Sequence, residues 1–440
     1  MKKNLIPIIY LSISLTILIY VVYKSEFIWG GDRRYYYFTY YLTSFSLLII
    51  SFLSFFLNQK IKTYSLIFFV SVFFTSYSFE LYLSTYNPNY SKSKIYEKYT
   101  GKKYDTRTLL EIYDDLKKLD KNTTMRVFPN LYIKKSNINF FPLSGKSYSK
   151  TIDCNENGYY SVYDSDRYGF NNLDKVWDQE NTEYLLLGDS FVQGSCVNRP
   201  NDISSLLASL SKKNVINLGY GGNGPLLEYA SLKEFYPKSV KNILWFYYEG
   251  NDVKNLQREL SNRFLRNYME NNNFSQNLKN KQKNVDEIIT NIVNKEKNIN
   301  MSLKKNFYSF VKLNKLRTMM NAFLPEKRRP PTQNDIGPEF KKILWLANEF
   351  SKQNLSDLYF VYLPTFKRYK KVDNNNKNYD KIKSIINELG IPFVDIHMLV
   401  FNEEINPLGL FPFEKEGHYN LDGYSKTAKA IHKFIQSSKK

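Results

Sequence analysis

Ser190 follows Gly188-Asp189 at the end of a short apolar run, 184–187, and this setting marks it as a candidate nucleophile. A run of that length closed by a turn signal reads as a buried strand, and open α/β sheets carry their chemistry at the C-terminal ends of such strands. Gly188 permits a sharp turn that leaves the serine hydroxyl at the mouth of the next element. A serine hydroxyl attacks poorly unless a base takes its proton and donors receive the charge developing on the carbonyl oxygen. Only three histidines are present, His397, His418 and His432. His418 sits in Glu416-Gly417-His418-Tyr419-Asn420, a loop just before the last helix, where its plain alternative role is to cap that helix. His397 ends a proposed strand and reads as a satisfied buried histidine, and His432 lies at the edge of a helix's apolar face. Donors are available in two further loops: the glycine-rich stretch 217–225, and Glu249-Gly250-Asn251-Asp252 with its Asn251 amide.

These loops need a scaffold that brings them to one edge. From residue 184 onward strand and helix signals alternate, with strands expected at 184–187, 214–218, 242–248, 358–363 and 392–396. Apolar residues at helical spacing mark the intervening helices: Ile203, Leu206, Leu207 and Leu210; Leu226, Leu227 and Ala230 behind Pro225; Phe340, Ile343, Leu344 and Ala347; Tyr424, Ala428, Ile431 and Ile435. Such alternation predicts an α/β domain with a parallel sheet covered on both faces. Residues 253–336 interrupt it with a long Asn- and Lys-rich insertion, helical over 285–293 and 307–323. There Met319, Met320 and Phe323 are candidates for a lid over the sheet edge. Lys327-Arg328-Arg329, before Pro330-Pro331, reads as a solvated loop or a contact to lipid headgroups. A Gly219-x-Gly221-x-x-Gly224 spacing with Glu249 after the next strand also fits a dinucleotide site. That alternative leaves the Ser190 and His418 loops without a role.

The formal charge of +20 invites a nucleic-acid partner. The accompanying excess of Lys, Asn, Tyr, Phe and Ile fits AT-rich coding instead, and no nucleic acid is expected. Upstream, 4–23 is an uncharged span of the ~20 residues that cross a bilayer. The spans 35–57 and 64–79 follow, with Tyr82 and Tyr86 suited to an interfacial belt. The first is too long for a signal-peptide core and no cleavage site follows it, so it reads as a retained anchor in contact with membrane lipids. Three spans from an inside start put the C-terminal domain outside the cell's inner membrane. On that side a Cys154–Cys196 disulfide is permitted, although two unpaired thiols are the plainer expectation. No zinc-ligand spacing and no cofactor motif other than the dinucleotide decoy is present, so neither metal nor cofactor is expected. Thr108 with Glu111 forms a candidate capping box for a helix over 106–119, and 137–163 reads as an irregular β segment.

Taken together, Gly188-Asp189-Ser190, Gly222 beyond Asn217, Asn251 before Asp252, and His418 resemble, in order, the four blocks of the SGNH (GDSL-type) hydrolases. The resemblance covers about 184–435. It implies a five-stranded parallel sheet in a three-layer sandwich, of flavodoxin-like type, behind N-terminal transmembrane helices. It also implies serine ester hydrolysis or acyl transfer, with His418 as base and an oxyanion hole of the Ser190 and Gly222 N–H groups and the Asn251 amide. Two positions depart from the family: Glu249 replaces a glycine, and Lys415 stands where the acid should be. Glu416, with Glu414 beside it, is the expected substitute acid. The resulting expectation is an anchor over 1–86, a linker and accessory α+β segment over 87–182, and an SGNH-like domain over 183–440 with its insertion at about 253–336. The expected substrate is an acylated envelope polysaccharide or lipid. The alternatives are a non-catalytic scaffold that keeps the fold, and a cytoplasm-facing domain acting on lipids or acyl carriers.

Overall fold

The computed structural model describes residues 4–85, 90–133, 140–300, 303–323, 336–370 and 377–438. Two compact units result, Met1–Asn87 with Ile299–Gln333, and Pro88–Asn298 with Asn334–Lys440.

The first unit is built on three helices, α1 (Leu5–Val22), α2 (Arg34–Leu53) and α3 (Gln59–Thr85). With their flanking turns they give three spans, Leu5–Ile28, Arg34–Phe56 and Gln59–Thr85, each long and apolar enough to cross a membrane. Their surfaces are inverted relative to a water-soluble bundle. Ile19, Phe38, Phe68 and Phe74 are 60% or more exposed, while Ser14, Ser44, Ser51 and Glu80 are buried. Ser14 and Ser51 share a hydrogen bond at 2.8 Å and Tyr10 meets Ser65 at 3.0 Å. Small and polar side chains between helices, with large apolar ones outside, are the arrangement that hydrocarbon favours. Helices Leu303–Val311 and Asn314–Phe323 belong to this unit, broken from one another at Leu313, whose φ is +50°. The Glu80 carboxylate accepts the N–H groups of Lys315 and Leu316 at the start of the second, at 2.9 and 2.8 Å. Met319 and Met320, the candidate lid residues, are exposed and belong to this unit. Tyr86, Lys327-Arg328-Arg329, Pro330-Pro331 and the side chain of Phe323 lie outside the description.

The second unit holds two sheets. Strands β1 (Thr124–Met125), β2 (Lys150–Ile152) and β3 (Val162–Asp164) form a small one; β2 and most of β3 fall in the segment 137–163 expected to be β, and β1 lies upstream of it. Thr108 and Glu111 close the capping box ahead of helix Leu109–Leu119. The main sheet consists of β4 (Thr182–Leu187), β5 (Val215–Asn217), β6 (Val240–Tyr248), β7 (Asp357–Leu363) and β8 (Phe393–Asp395). Its order is β5-β4-β6-β7-β8 and every pairing is parallel, the doubly wound order of flavodoxin-like folds.

Alternation along the strands produces the three layers. Leu185, Leu187, Ile243, Trp245, Phe360 and Tyr362 enter the core on one face; Tyr184, Leu186, Leu244, Phe246 and Val361 enter the core on the other. A sheet buried on both faces needs continuous apolar strands, and these five strands read that way in the sequence. The strand order reverses beside β4, so the crevice at its C-terminal end opens where Ser190 begins helix Ser190–Gln193.

Cys154 and Cys196 are joined as a disulfide with Cα atoms 4.9 Å apart, correcting the expectation of two free thiols. The bond ties the accessory segment, near β2, to the turn that follows Ser190.

Candidate active site

The β4-to-helix turn is tight because two residues make room for it. A Cβ on Gly188 would lie 2.4 Å from Val192 Cγ2, so only glycine fits. Asp189 caps the short helix by accepting the Phe191 N–H at 2.9 Å. Asp189 is fully buried, and burial raises its pKa against that hydrogen bond. Ser190 is thereby held at the helix start with its hydroxyl directed at the C-terminal loop.

His418 meets it there. His418 Nε2 lies 2.8 Å from Ser190 Oγ, across 228 residues of sequence. The ring is packed against Phe191, centroids 4.8 Å apart, and Phe191 in turn stacks on Tyr248 at 4.1 Å.

The carboxylate on the other side of the ring is Glu156. Its Oε2 accepts from His418 N at 2.6 Å and lies 3.1 Å from His418 Nδ1. One oxygen therefore orients both the main chain and the imidazole of the same residue. Gly417 permits the approach, since a Cβ there would sit 2.6 Å from Glu156 Oε2. Burial works against a charged imidazole at His418, but the hydrogen bond and charge of Glu156, with the charge of Asp153, outweigh it and raise the pKa. Burial likewise opposes the Glu156 carboxylate, and the bonds to His418 outweigh that to lower its pKa.

Glu416 is not in this contact. Its carboxylate pairs with Lys367 at 3.4 Å, 62% exposed, and Glu414 accepts from Asn406 at 2.8 Å. The expectation of Glu416 as the acid is corrected on that ground: its side chain points to solvent, while Glu156 arrives from the accessory segment. Sequence reasoning missed Glu156 because the partners are 262 residues apart. One signal was available. The chain's only cysteines lie two residues before Glu156 and six after Ser190, so pairing them would have drawn that carboxylate to the site.

Gly222, with φ +83°, takes the left-handed turn that glycine favours, close to Asn130. Its N–H and that of Ser190 donate to no protein acceptor among the described residues. The preceding Gly221 N–H is held by Gln193 Oε1 at 2.8 Å, and Arg126 Nη1 binds the same oxygen at 3.1 Å. Arg126 also pairs with Asp153 at 2.5 Å, so the accessory segment braces the glycine loop from below. Glu259 fixes the other end of that loop by accepting Gly224, Leu226 and Leu227 N–H groups at 2.6, 3.0 and 3.4 Å. Burial pushes its carboxyl up to about 8 against those bonds.

Asn251 precedes helix Asp252–Leu260. It lines a cleft of about 370 Å³ with Tyr248, Glu249, Gly250, Thr365, Lys367 and Glu416. Glu249 forms a buried ion pair with Arg368 at 2.8 Å and receives the Thr365 N–H at 3.1 Å. It therefore ties the loop after β6 to the loop after β7. His397 is satisfied by Tyr369 at 2.8 Å, away from Ser190.

The sulfurs of Cys154 and Cys196 and His418 Nδ1 lie within 4.8 Å of one another. The sulfurs are bonded together and the ring nitrogen faces Glu156, so this group does not offer a metal three free ligands.

No family model and no curated protein matches the chain. Among solved structures, it is similar to a lipolytic protein of the G-D-S-L family from Desulfitobacterium hafniense, at 15% identity and TM-score 0.32, covering 57% of this chain and 99% of that one. A G-D-S-L family member from Veillonella parvula is 12% identical, with TM-score 0.33 and coverage of 58% and 98%. Axe2, an acetylxylan esterase from Geobacillus stearothermophilus, is 13% identical, with TM-score 0.33 and coverage of 58% and 94%.

The arrangement has the core parts of nucleophilic acyl transfer: a hydroxyl on a base and the base on a carboxylate.

Proposed function

We propose that this protein is a membrane-anchored serine esterase or O-acyltransferase of the SGNH type, with Ser190, His418 and Glu156 as its triad. The observation that carries the reading is the 2.8 Å contact of Ser190 Oγ with His418 Nε2, with Nδ1 of the same ring 3.1 Å from Glu156. Ser190 Oγ bonds to the ester carbonyl carbon as its proton passes to His418 Nε2. Glu156 stabilises the imidazolium and holds the tautomer. The oxyanion rests against the Ser190 and Gly222 N–H groups and the Asn251 amide. The ester C–O bond then breaks as His418 returns the proton to the leaving oxygen. Water or a sugar hydroxyl resolves the acyl-enzyme by the reverse sequence.

The substrate class is an O-acylated glycan or lipid of the cell envelope. Three spans with lipid-suited surfaces support the anchor. The Cys154–Cys196 disulfide supports an oxidising, extracytoplasmic location for the catalytic unit. The test uses the full chain in detergent with a fluorophosphonate probe and p-nitrophenyl acetate. Labelling located at Ser190 by mass spectrometry, together with ester turnover, is the expected result. Absence of both would leave a non-catalytic scaffold as the better reading.

A further inference from the structure

The triad is carried by three segments, and Cys196 joins two of them, the Ser190 turn and the Glu156 loop, through each of its bonding groups. Cys196 lies six residues beyond Ser190 on the same buried turn. Its N–H donates to Asp153 Oδ2 at 3.2 Å, its carbonyl accepts from Asn157 Nδ2 at 2.9 Å, and its sulfur is bonded to Cys154. All three partners fall within 153–157, the loop that carries Glu156. Cys196 does this at φ +64°, a backbone region that side chains disfavour and that persists where the surroundings over-determine it. Its sulfur also lies 3.6 Å from His418 Nδ1, beside the contact that Glu156 makes.

We propose that the Cys154–Cys196 disulfide is a positioning element for catalysis, holding loop 153–157 against the Ser190 turn so that the Glu156 carboxylate stays on His418 Nδ1. The proposal rests on the Ser190–His418 reading above. The need for a tether follows from exposure. The Glu156 and His418 side chains are 27% and 17% accessible, so water competes for the carboxylate. A partly exposed ion pair is weak by itself and must also offset the entropy of ordering its loop. A covalent cross-link two residues away keeps the carboxylate at high effective concentration beside the ring. When a dithiol reduces the bond, two electrons and two protons pass to the cysteines, the S–S bond breaks, and the dithiol becomes a cyclic disulfide. The loop is then held by non-covalent contacts alone: the Asp153 and Asn157 hydrogen bonds to Cys196, the Arg126 pair, Asn155 Nδ2 to the Asp105 carbonyl at 2.7 Å, Asp153 N–H to the Ser161 carbonyl at 2.9 Å, and the Glu156 bonds to His418 themselves. The expected product is a folded enzyme working with Ser190 and His418 alone.

The experiment compares four full chains in detergent: wild type, C154S/C196S, E156Q, and the triple variant. C154S/C196S should lower kcat by roughly 10–100-fold, part of the ~10⁴-fold span that a triad acid commands, with KM within about twofold. The triple variant should be no slower than E156Q, because the disulfide acts through Glu156. Selective ¹⁵N-histidine labelling then follows the titration of His418 among only three histidines. Its pKa should fall in C154S/C196S as it does in E156Q, a change that simple loss of stability does not produce. Dithiothreitol applied to folded wild type, with near-UV circular dichroism as the fold check, should reproduce the kcat loss without the substitutions. Unchanged kcat and unchanged His418 titration on breaking the bond would overturn the proposal, as would losses that multiply in the triple variant. If wild type neither labels at Ser190 nor turns over ester, the functional reading fails, and the His418 titration still decides whether the disulfide places Glu156.

Discussion

The two units of this protein bury opposite kinds of side chain. In the helical unit, Ser14 and Ser51 pair inside while Phe68 and Phe74 face outward. In the α/β unit, Leu185, Leu186 and Leu187 are fully buried in the strand that leads to Ser190. The hydrophobic effect explains the second pattern and cannot explain the first in water, since exposed apolar area there costs roughly 25 cal/mol per Å². The helical unit carries the kind of surface that apolar surroundings favour. Polar groups differ in the same way. In the bundle they make local contacts, such as the Ser14–Ser51 pair and the cluster of Ser25, Arg34 and Tyr41 on Glu26. In the α/β unit they form a connected set at one sheet edge, where Arg126, Gln193, Asp153, Glu156 and His418 brace the loops around Ser190.

If chemistry belongs only to the second unit, substitutions there should alter turnover while the bundle remains inert. The largest effect is expected for Ser190→Ala, which should abolish fluorophosphonate labelling and lower ester turnover by at least ~10⁴-fold at unchanged circular dichroism. Glu156→Gln comes next, with a kcat loss of up to ~10⁴-fold, while Glu416→Gln should stay within about twofold of wild type. A pH–rate profile sharpens that pair. His418 must be neutral to accept the proton, and Glu156 raises its pKa, so kcat/KM should rise with pH along a limb above the usual imidazole value of ~6.5. In Glu156→Gln the burial that lowers the pKa is left unopposed by Glu156, and the limb should move to lower pH.

Asn251→Ala should cost ~10²–10³-fold in kcat with little change in KM; undiminished turnover would remove Asn251 from the oxyanion hole. The smallest effects concern stability and test the contrast itself. Leu186→Ala should destabilise the α/β unit by ~2–5 kcal/mol in a denaturant titration. Ser14→Ala should destabilise the bundle in micelles by less than ~1 kcal/mol, because interhelical hydrogen bonds in hydrocarbon are worth little net. Equal losses at the two positions would contradict the contrast.

Much of the fold was legible because the signals are local. Runs such as 184–187 and 358–363 have the length and apolarity of strands buried on both faces, and Pro225 marks a helix start. The uncharged spans were legible for the same reason, although α3 extends well beyond the apolar stretch 64–79 on both sides. The helix expected over 307–323 breaks at Leu313, and its two pieces group with α1–α3. Its periodicity shows an amphipathic face and carries no information on which apolar partner that face meets.

The sequence by itself determined the strands, the apolar spans and the loops that hold Ser190 and His418, because each follows from residue types a few positions apart. Which carboxylate reaches the imidazole, and whether the cysteines pair, was decided only in three dimensions. Glu416 is two residues from His418, yet it faces Lys367. Glu156 is 262 residues away, yet it is in contact. Proximity along the chain does not orient a side chain, whereas the strand order, the Gly417 turn and the link to Cys196 together deliver one carboxylate oxygen to His418 Nδ1.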